Sequence, residues 1–232
     1  MKFHRVIFLI IILLIPNYLH AQEENEAFFT GKYFLSNGAS SLNQSKSMVV
    51  WNLFGPQYYH SITKNIQIGV TSYWLLTPLA LELQLSTKIT DDVHVAGGGF
   101  YGLNKWAGDD NNPTVSLFST ITLGDRSKNL SATLYRFDLE DSIFSEESDY
   151  NSRKYTVFNL SAYYNIKPNT AFVADFFYSS NKHSNTVFVI YGAQIVTKRK
   201  RLLHVGYMNY YDEINKFFFI PIPFLQLQVP IN

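Results

Sequence analysis

The chain has 232 residues, enough for one domain of ordinary size, and only 16% of them are charged, which is low for a soluble domain. Aromatic residues make up another 16%, chiefly 16 Tyr and 19 Phe, and this combination is typical of lipid-facing strands flanked by aromatic girdles. The net charge of +1 gives no indication of nucleic-acid binding, and the absence of cysteine excludes disulfides, thiolate metal sites and a lipidated cysteine.

The N-terminus has the pattern of a secretion signal. A basic start is followed by an unbroken apolar run over residues 6–15, and Ala21 supplies a small residue at a cleavage position. This run is too short to span a bilayer, which takes roughly 20 apolar residues. We therefore predict a signal peptide over residues 1–21 and one mature domain over residues 22–232, with an uncleaved anchor as the alternative.

The mature sequence consists of many stretches in which apolar and polar residues alternate. In residues 79–86, LALELQLS, leucine occupies every odd position, while Ala, Glu, Gln and Ser occupy the even ones. A period of two is the period of a β-strand, and no later segment has the long apolar run of a membrane helix. We predict twelve strands, at approximately residues 28–36, 47–60, 65–76, 79–89, 92–103, 114–124, 129–138, 154–165, 169–179, 185–197, 201–210 and 216–229.

The connections between these strands fall into two alternating sets. One set is short and rich in turn-forming residues, and it carries most of the Lys and Arg outside the strands. The other set is longer on average, includes residues 105–113 and 140–154, and is rich in Asp and Glu. Short periplasmic turns that alternate with long outer loops, together with an even strand count, are what a closed antiparallel barrel needs.

The face opposite the leucines decides between a membrane barrel and a soluble one. It carries mostly Gly, Ala, Ser, Thr, Gln and Asn, which suits a lumen better than a charged outer surface. A sheet in lipid must also close, because an exposed edge leaves backbone groups unpaired at a cost of several kcal/mol each. We therefore predict an all-β fold, a transmembrane up-and-down antiparallel β-barrel of about 12 strands in the outer membrane of a Gram-negative cell. A soluble, lipocalin-like periplasmic barrel is the alternative.

Two segments resemble a known family. They are GKYFLSNGASSLNQSKSMVVWNLFGPQYYHSITKNIQIGV and the closing IPIPFLQLQVPIN. They are similar to the opening hairpin and the Pro-containing final strand of a family of small, mostly uncharacterised outer-membrane β-barrel proteins. A terminal Phe that is common in the family is replaced here by Asn232, and a glycine before the second strand by Lys46 or Ser47. The resemblance implies the fold and the location, and it implies no catalytic residues. The matching residues are Tyr33, Phe34, Ser36, Ala39, Leu42, Ile62, Thr63, Asn65, Ile66 and Gly69.

Polar residues on the predicted lumen face are the candidate functional residues. Glu82 and Asp175 are expected either to line a water-filled path or to pair with other groups in a plugged interior, because an unpaired charge in a dry interior is costly. The lumen-lining candidates are Gln67, Glu82, Gln84, His94, Asn159, Asp175, Gln194, His204, Gln226 and Gln228.

Three functional hypotheses follow. The first is a passive channel or small-solute transport protein, because a barrel of twelve strands is too wide for its own side chains to fill easily. The second is a structural or surface-interaction barrel whose acidic outer loops contact partners. The third is a lipid-modifying enzyme with Ser180 and His183 as its nucleophile and base and Asn181 or Asn185 as the orienting group, although the sequence contains no G-x-S-x-G motif. We predict no catalytic residue, metal site or cofactor. The expected partners are outer-membrane lipids and the barrel-assembly machinery, not nucleic acid, and the oligomeric state is left open.

Overall fold

Twelve antiparallel strands close into one barrel in which each strand pairs with its neighbours along the chain and the first pairs with the last. This computed structural model describes residues 31–39, 46–72, 79–103, 114–139, 153–180, 185–212 and 221–231. The strands are β1 (Ser47–Asn52), β2 (Gly55–Thr63), β3 (Ile66–Ser72), β4 (Leu79–Thr90), β5 (Val93–Leu103), β6 (Thr114–Gly124), β7 (Lys128–Leu139), β8 (Arg153–Lys167), β9 (Thr170–Ser180), β10 (Asn185–Val196), β11 (Leu202–Asp212) and β12 (Ile222–Ile231). Within these described ranges, no helix is long and apolar enough to span a membrane.

The predicted number of strands is confirmed, but the first two predicted strands are wrong. Residues 31–36 do not belong to the barrel wall, and the predicted strand 47–60 is two strands, β1 and β2, joined by a turn at residues 53–54. The turn ends at Gly55, whose φ of 130° favours glycine. Residues 48–54, MVVWNLF, are apolar at both odd and even positions, so the period of two alone did not reveal the hairpin.

The apolar and polar faces of the strands lie on opposite sides of the barrel wall. In β4, Leu81 and Leu83 are 48% and 46% exposed, whereas the residue that follows each of them, Glu82 and Gln84, is 4% and 1% exposed. The same alternation runs through β6, where Leu117 is exposed and its neighbour Ser116 is buried. The barrel therefore has an apolar outer surface and a largely polar interior, the inverse of a water-soluble barrel.

The two ends of the barrel differ in their connections. At the end that we call the turn end, β1 begins, β12 ends, and the connections between strands are short turns such as residues 91–92 and 168–169. Its exposed cations include Lys64, Arg126 and Lys167, as the charge pattern predicts. The opposite end, the loop end, carries the longer connections, and its predicted acidic loops lie outside the described residues.

One turn at the turn end is held by a carboxylate. Asp125 accepts hydrogen bonds from the Ser127 backbone N–H at 2.7 Å, from the Ser127 hydroxyl at 2.6 Å and from the Lys128 backbone N–H at 3.0 Å. Partial burial acts to raise the pKa of Asp125, but these hydrogen bonds outweigh it and hold the pKa below its ordinary value. The ionised carboxylate therefore stabilises the turn at neutral pH, and this contribution is lost as the pH falls through the lowered pKa.

Two adjacent glycines of β5 give a test of wall packing. A Cβ at Gly98 would overlap the Leu83 carbonyl oxygen and lie 2.5 Å from the Phe118 ring, whereas at Gly97 the nearest heavy atom would be 3.8 Å away. We therefore expect Gly98→Ala to lower the free energy of unfolding by roughly 1–3 kcal/mol, because the backbone at Leu83 or the ring of Phe118 must shift. Gly97→Ala is the matched control and should change it little. Denaturant unfolding in detergent micelles measures both, and equal stabilities would contradict the packing described.

Candidate functional site

Residues 31–39 lie inside the barrel, and we call them the plug. All of them except Leu35 are buried. The segment folds back on itself, since the Gly38 N–H donates to the Gly31 carbonyl at 2.7 Å and the Tyr33 N–H donates to the Ser36 carbonyl at 3.0 Å. A φ of 83° at Gly31 permits this tight path. The plug is thus a compact loop whose polar groups face the inner wall of the barrel.

Asp175 of β9 binds the tip of the plug. Its carboxylate accepts hydrogen bonds from the Leu35 N–H at 2.7 Å, the Ser36 N–H at 3.3 Å and the Ser36 hydroxyl at 2.6 Å. The Ser36 hydroxyl also lies 2.7 Å from the hydroxyl of Ser161 on β8. Hydrogen bonds to a charged acceptor are stronger than neutral ones, so this carboxylate is a principal anchor of the plug.

Lys32 carries the positive charge of the plug into the barrel. Its side chain is only 2% exposed, and the ammonium donates to the Tyr59 hydroxyl and to Asn37 Oδ1, both at 3.0 Å. The ammonium also lies 4.7 Å from the centroid of the Tyr59 ring, a cation–π distance. Asn37 in turn donates to Glu82 Oε1 at 2.5 Å. Lys32 is therefore connected to the carboxylate of Glu82 through an amide of the plug.

Tyr33 joins opposite sides of the wall. Its hydroxyl donates to Asn129 Oδ1 at 2.5 Å and lies 2.7 Å from the Ser131 hydroxyl, both on β7. Its carbonyl accepts hydrogen bonds from the amides of Gln226 and Gln228 on β12, at 3.1 and 3.2 Å. Since β7 and β12 lie far apart in the strand order, the plug crosses the barrel interior at this level.

The plug also contacts the wall through its backbone and through the ring of Phe34. The Gly38 carbonyl accepts from the Gln84 amide at 3.1 Å, and the Ala39 N–H donates to the Thr122 hydroxyl at 2.7 Å. The Phe34 ring packs edge-on against His204, with ring centroids 5.2 Å apart. The plug and the apolar part of the wall form one buried cluster of Tyr33, Phe34, Tyr163, Ala171, Val173, Ile190, Met208 and Phe224.

The structure places the predicted lumen residues as follows. Nine of the ten are at most 5% exposed, and they are Gln67, Glu82, Gln84, Asn159, Asp175, Gln194, His204, Gln226 and Gln228. Six of these contact the plug, namely Glu82, Gln84, Asp175, His204, Gln226 and Gln228. Asn159 donates to the Phe176 carbonyl and Gln194 to the Tyr163 hydroxyl, so both bond to the wall itself. His94 differs from the rest, because it is only half-buried and lies next to the turn at residues 91–92.

Sequence reasoning missed the plug itself, because it assigned residues 28–36 to a strand. One signal was available: residues 33–35 are three apolar residues in succession, between Gly31 and the Asn-Gly pair at 37–38, which is a turn signature rather than an alternating pattern. The enzymatic candidate is not resolved by the fold, because His183 lies outside the described residues.

No protein-family model matches the sequence, and no curated protein is similar to it in sequence. Among solved structures, the chain is similar to one described as the NanC porin in a rhombohedral crystal form, with a TM-score of 0.56 and 8% sequence identity. The match covers 80% of this chain and 98% of the porin chain. At this identity the likeness shows that the two proteins share a barrel fold. The resemblance to the family of small outer-membrane barrels stays a prediction.

Proposed function

We propose that the protein is an outer-membrane channel for small solutes, exported by its predicted signal peptide and closed by the plug in the state described above. An apolar outer belt suits lipid, and the porin-like fold supports a channel rather than an enzyme. The expected surroundings are outer-membrane lipids, reached with the help of the assembly machinery.

The observation that carries the proposal is that the plug occupies the lumen. About eight strands is the size that a barrel's own side chains just fill, so twelve strands leave room for something else. Here that room holds a short segment, which contacts the wall through hydrogen bonds and packing. If the plug leaves, it uncovers a lumen lined by amides, hydroxyls and carboxylates, which is a path for water and polar solutes.

Replacing residues 31–39 with a Gly- and Ser-rich segment of the same length tests the proposal. We expect this variant to conduct ions steadily in planar bilayers, because the replacement lacks the side chains that bind the wall. The wild-type protein should be closed for most of the recording. Heat-dependent gel mobility shows whether each protein is folded, and a folded, inserted variant that never conducts would contradict a channel.

A permanently closed barrel with a structural or surface-interaction role is the second candidate. The observation in its favour is the extent of buried hydrogen bonding between the plug and the wall, which is costly to break. The same replacement separates the two candidates, because a barrel of this kind inserts without conducting. Deletion of residues 140–152, in the predicted outer loop, should then abolish partner binding and leave insertion unchanged.

A further inference from the structure

The charge inside the barrel depends on whether the plug is present. The wall carries two carboxylates, Glu82 on β4 and Asp175 on β9, which are 4% and 0% exposed. Between the two ends, the other described side chains on the same inward face are neutral amides, hydroxyls, aliphatic groups, aromatic rings and His204. The cation that faces these carboxylates is Lys32, and it belongs to the plug. Without the plug, the described inner wall between the two ends is therefore net negative.

The wall also provides a site for an ammonium group. Lys32 places its ammonium against the Tyr59 ring and hydroxyl. The Tyr59 ring lies over Gly69, where a Cβ would come within 2.8 Å of two ring atoms, so the absence of a side chain there allows the ring to lie against the wall. Glu82 lies across the β3 strand from Tyr59, because Gly69 pairs with Tyr59 on one side and with Glu82 on the other. An aromatic face and a carboxylate thus flank one position.

Glu82 is shared between the plug and the wall. Its Oε1 accepts a hydrogen bond from the plug residue Asn37, and the side chain of Tyr59 also hydrogen-bonds with the carboxylate. A buried carboxylate is costly unless hydrogen-bond donors or a cation lie beside it. Removal of the plug takes away Asn37 and Lys32 together, and it leaves the Oε1 of Glu82 available to a cationic solute beside the Tyr59 ring.

We propose that the open lumen selects cations and that Lys32 occupies the position of the ammonium group of a cargo molecule, so that the preferred solutes are small organic amines. This inference rests on the proposed channel function. In the closed state the plug supplies its own ammonium to the Tyr59–Glu82 site and its own backbone donors to Asp175. In the open state the same groups attract cations by their charge and hold an ammonium by a cation–π contact.

The reversal potential of the plug-replaced variant in a KCl gradient tests the selectivity. We expect K⁺ to be several-fold more permeant than Cl⁻, and we expect Glu82→Gln combined with Asp175→Asn to bring the ratio close to one. A plug-replaced pore that favours Cl⁻, or whose ratio the double substitution does not change, would overturn the inference while leaving the channel intact. A folded, inserted variant without current would instead overturn the channel, and the inference with it.

Butylammonium is the probe for the ammonium site. It should reduce the K⁺ current through the plug-replaced pore, and Tyr59→Leu should weaken this block roughly two- to fivefold, the range expected for an accessible cation–π contact. Thr133→Ala, on the inner wall at β7, is the matched control and should leave the block unchanged. If butylammonium blocks the plug-replaced pore and its Tyr59→Leu and Thr133→Ala variants equally, the assignment of the site is contradicted.

Discussion

Asp175→Ala is expected to release the plug from the lumen while the barrel stays folded. The substitution removes the acceptor of three hydrogen bonds, two of them from the backbone N–H groups of Leu35 and Ser36. If the plug stays in place, the buried Ser36 N–H and the part-buried Leu35 N–H lose their partner, at a cost of up to about 1–3 kcal/mol each. The plug is held by side-chain contacts rather than by a strand ladder, so it is the element with the lowest resistance to displacement.

The number of hydrogen bonds lost sets the size of the effect on plug displacement. A loss of about 3 kcal/mol or more shifts the equilibrium between bound and displaced plug by a factor of roughly a hundred. Amide hydrogen exchange of a peptide that covers residues 31–39 should therefore speed up by about that factor. Single-channel recordings should show frequent openings where the wild-type protein shows few. Asp175→Asn should have a smaller effect, because its amide oxygen still accepts from the backbone.

Thr133→Ala is the control for this experiment. Thr133 is also buried on the inner wall, and its hydroxyl lies 2.9 Å from that of Thr120 rather than against the plug. It should leave the exchange of the plug unchanged. If Asp175→Ala leaves the plug protected to the same degree as Thr133→Ala, then Asp175 is not the anchor, and packing of Phe34 and Tyr33 holds the plug instead.

Leu83→Arg is expected to destabilise the folded barrel in a bilayer by about 2–4 kcal/mol. Leu83 is 46% exposed on the outer face of β4, well inside the strand. Arginine there must place its charge in hydrocarbon. Its side chain can reach the membrane surface only by bending along the barrel wall. The measurement is reversible unfolding by guanidinium chloride in phospholipid vesicles, in which the wild-type protein and the variant are compared at one pH.

Ile89→Arg is a control in the same strand and on the same face. Ile89 is 62% exposed and lies next to the turn at residues 91–92, where an arginine reaches the headgroups. Its cost should be about 0–1 kcal/mol. A water-soluble barrel would tolerate arginine equally at both exposed positions. If both substitutions change the free energy of unfolding equally and little, this result would therefore contradict a lipid-facing outer belt.

The wall of the barrel was predictable from the sequence because its signal is local. Alternation in segments such as residues 79–86 assigns each side chain to one face, and the buried Glu82 and Gln84 lie on the face that the pattern predicts. His94 shows the limit of this reasoning, since the period assigns a face but gives no depth, and the residue lies near an end of the barrel. The short turn between β1 and β2 was missed because residues 48–54 are apolar at both odd and even positions, so the period of two marks no break there.

The sequence by itself determined the strand period and the two faces of this protein, since these follow from side chains a few residues apart. It predicted the closed form from the even strand count and the cost of an open sheet edge in lipid. Only the tertiary structure decided that residues 31–39 fill the lumen. The partners of Tyr33 and Ser36 are up to 195 and 139 positions away, and they converge only after the barrel has closed. The apolar run at residues 33–35 and its flanking glycines indicate a turn, but they do not say where in the molecule that turn lies. The inward carboxylate of Asp175 and the amides of β12 make the plug the lower-energy choice.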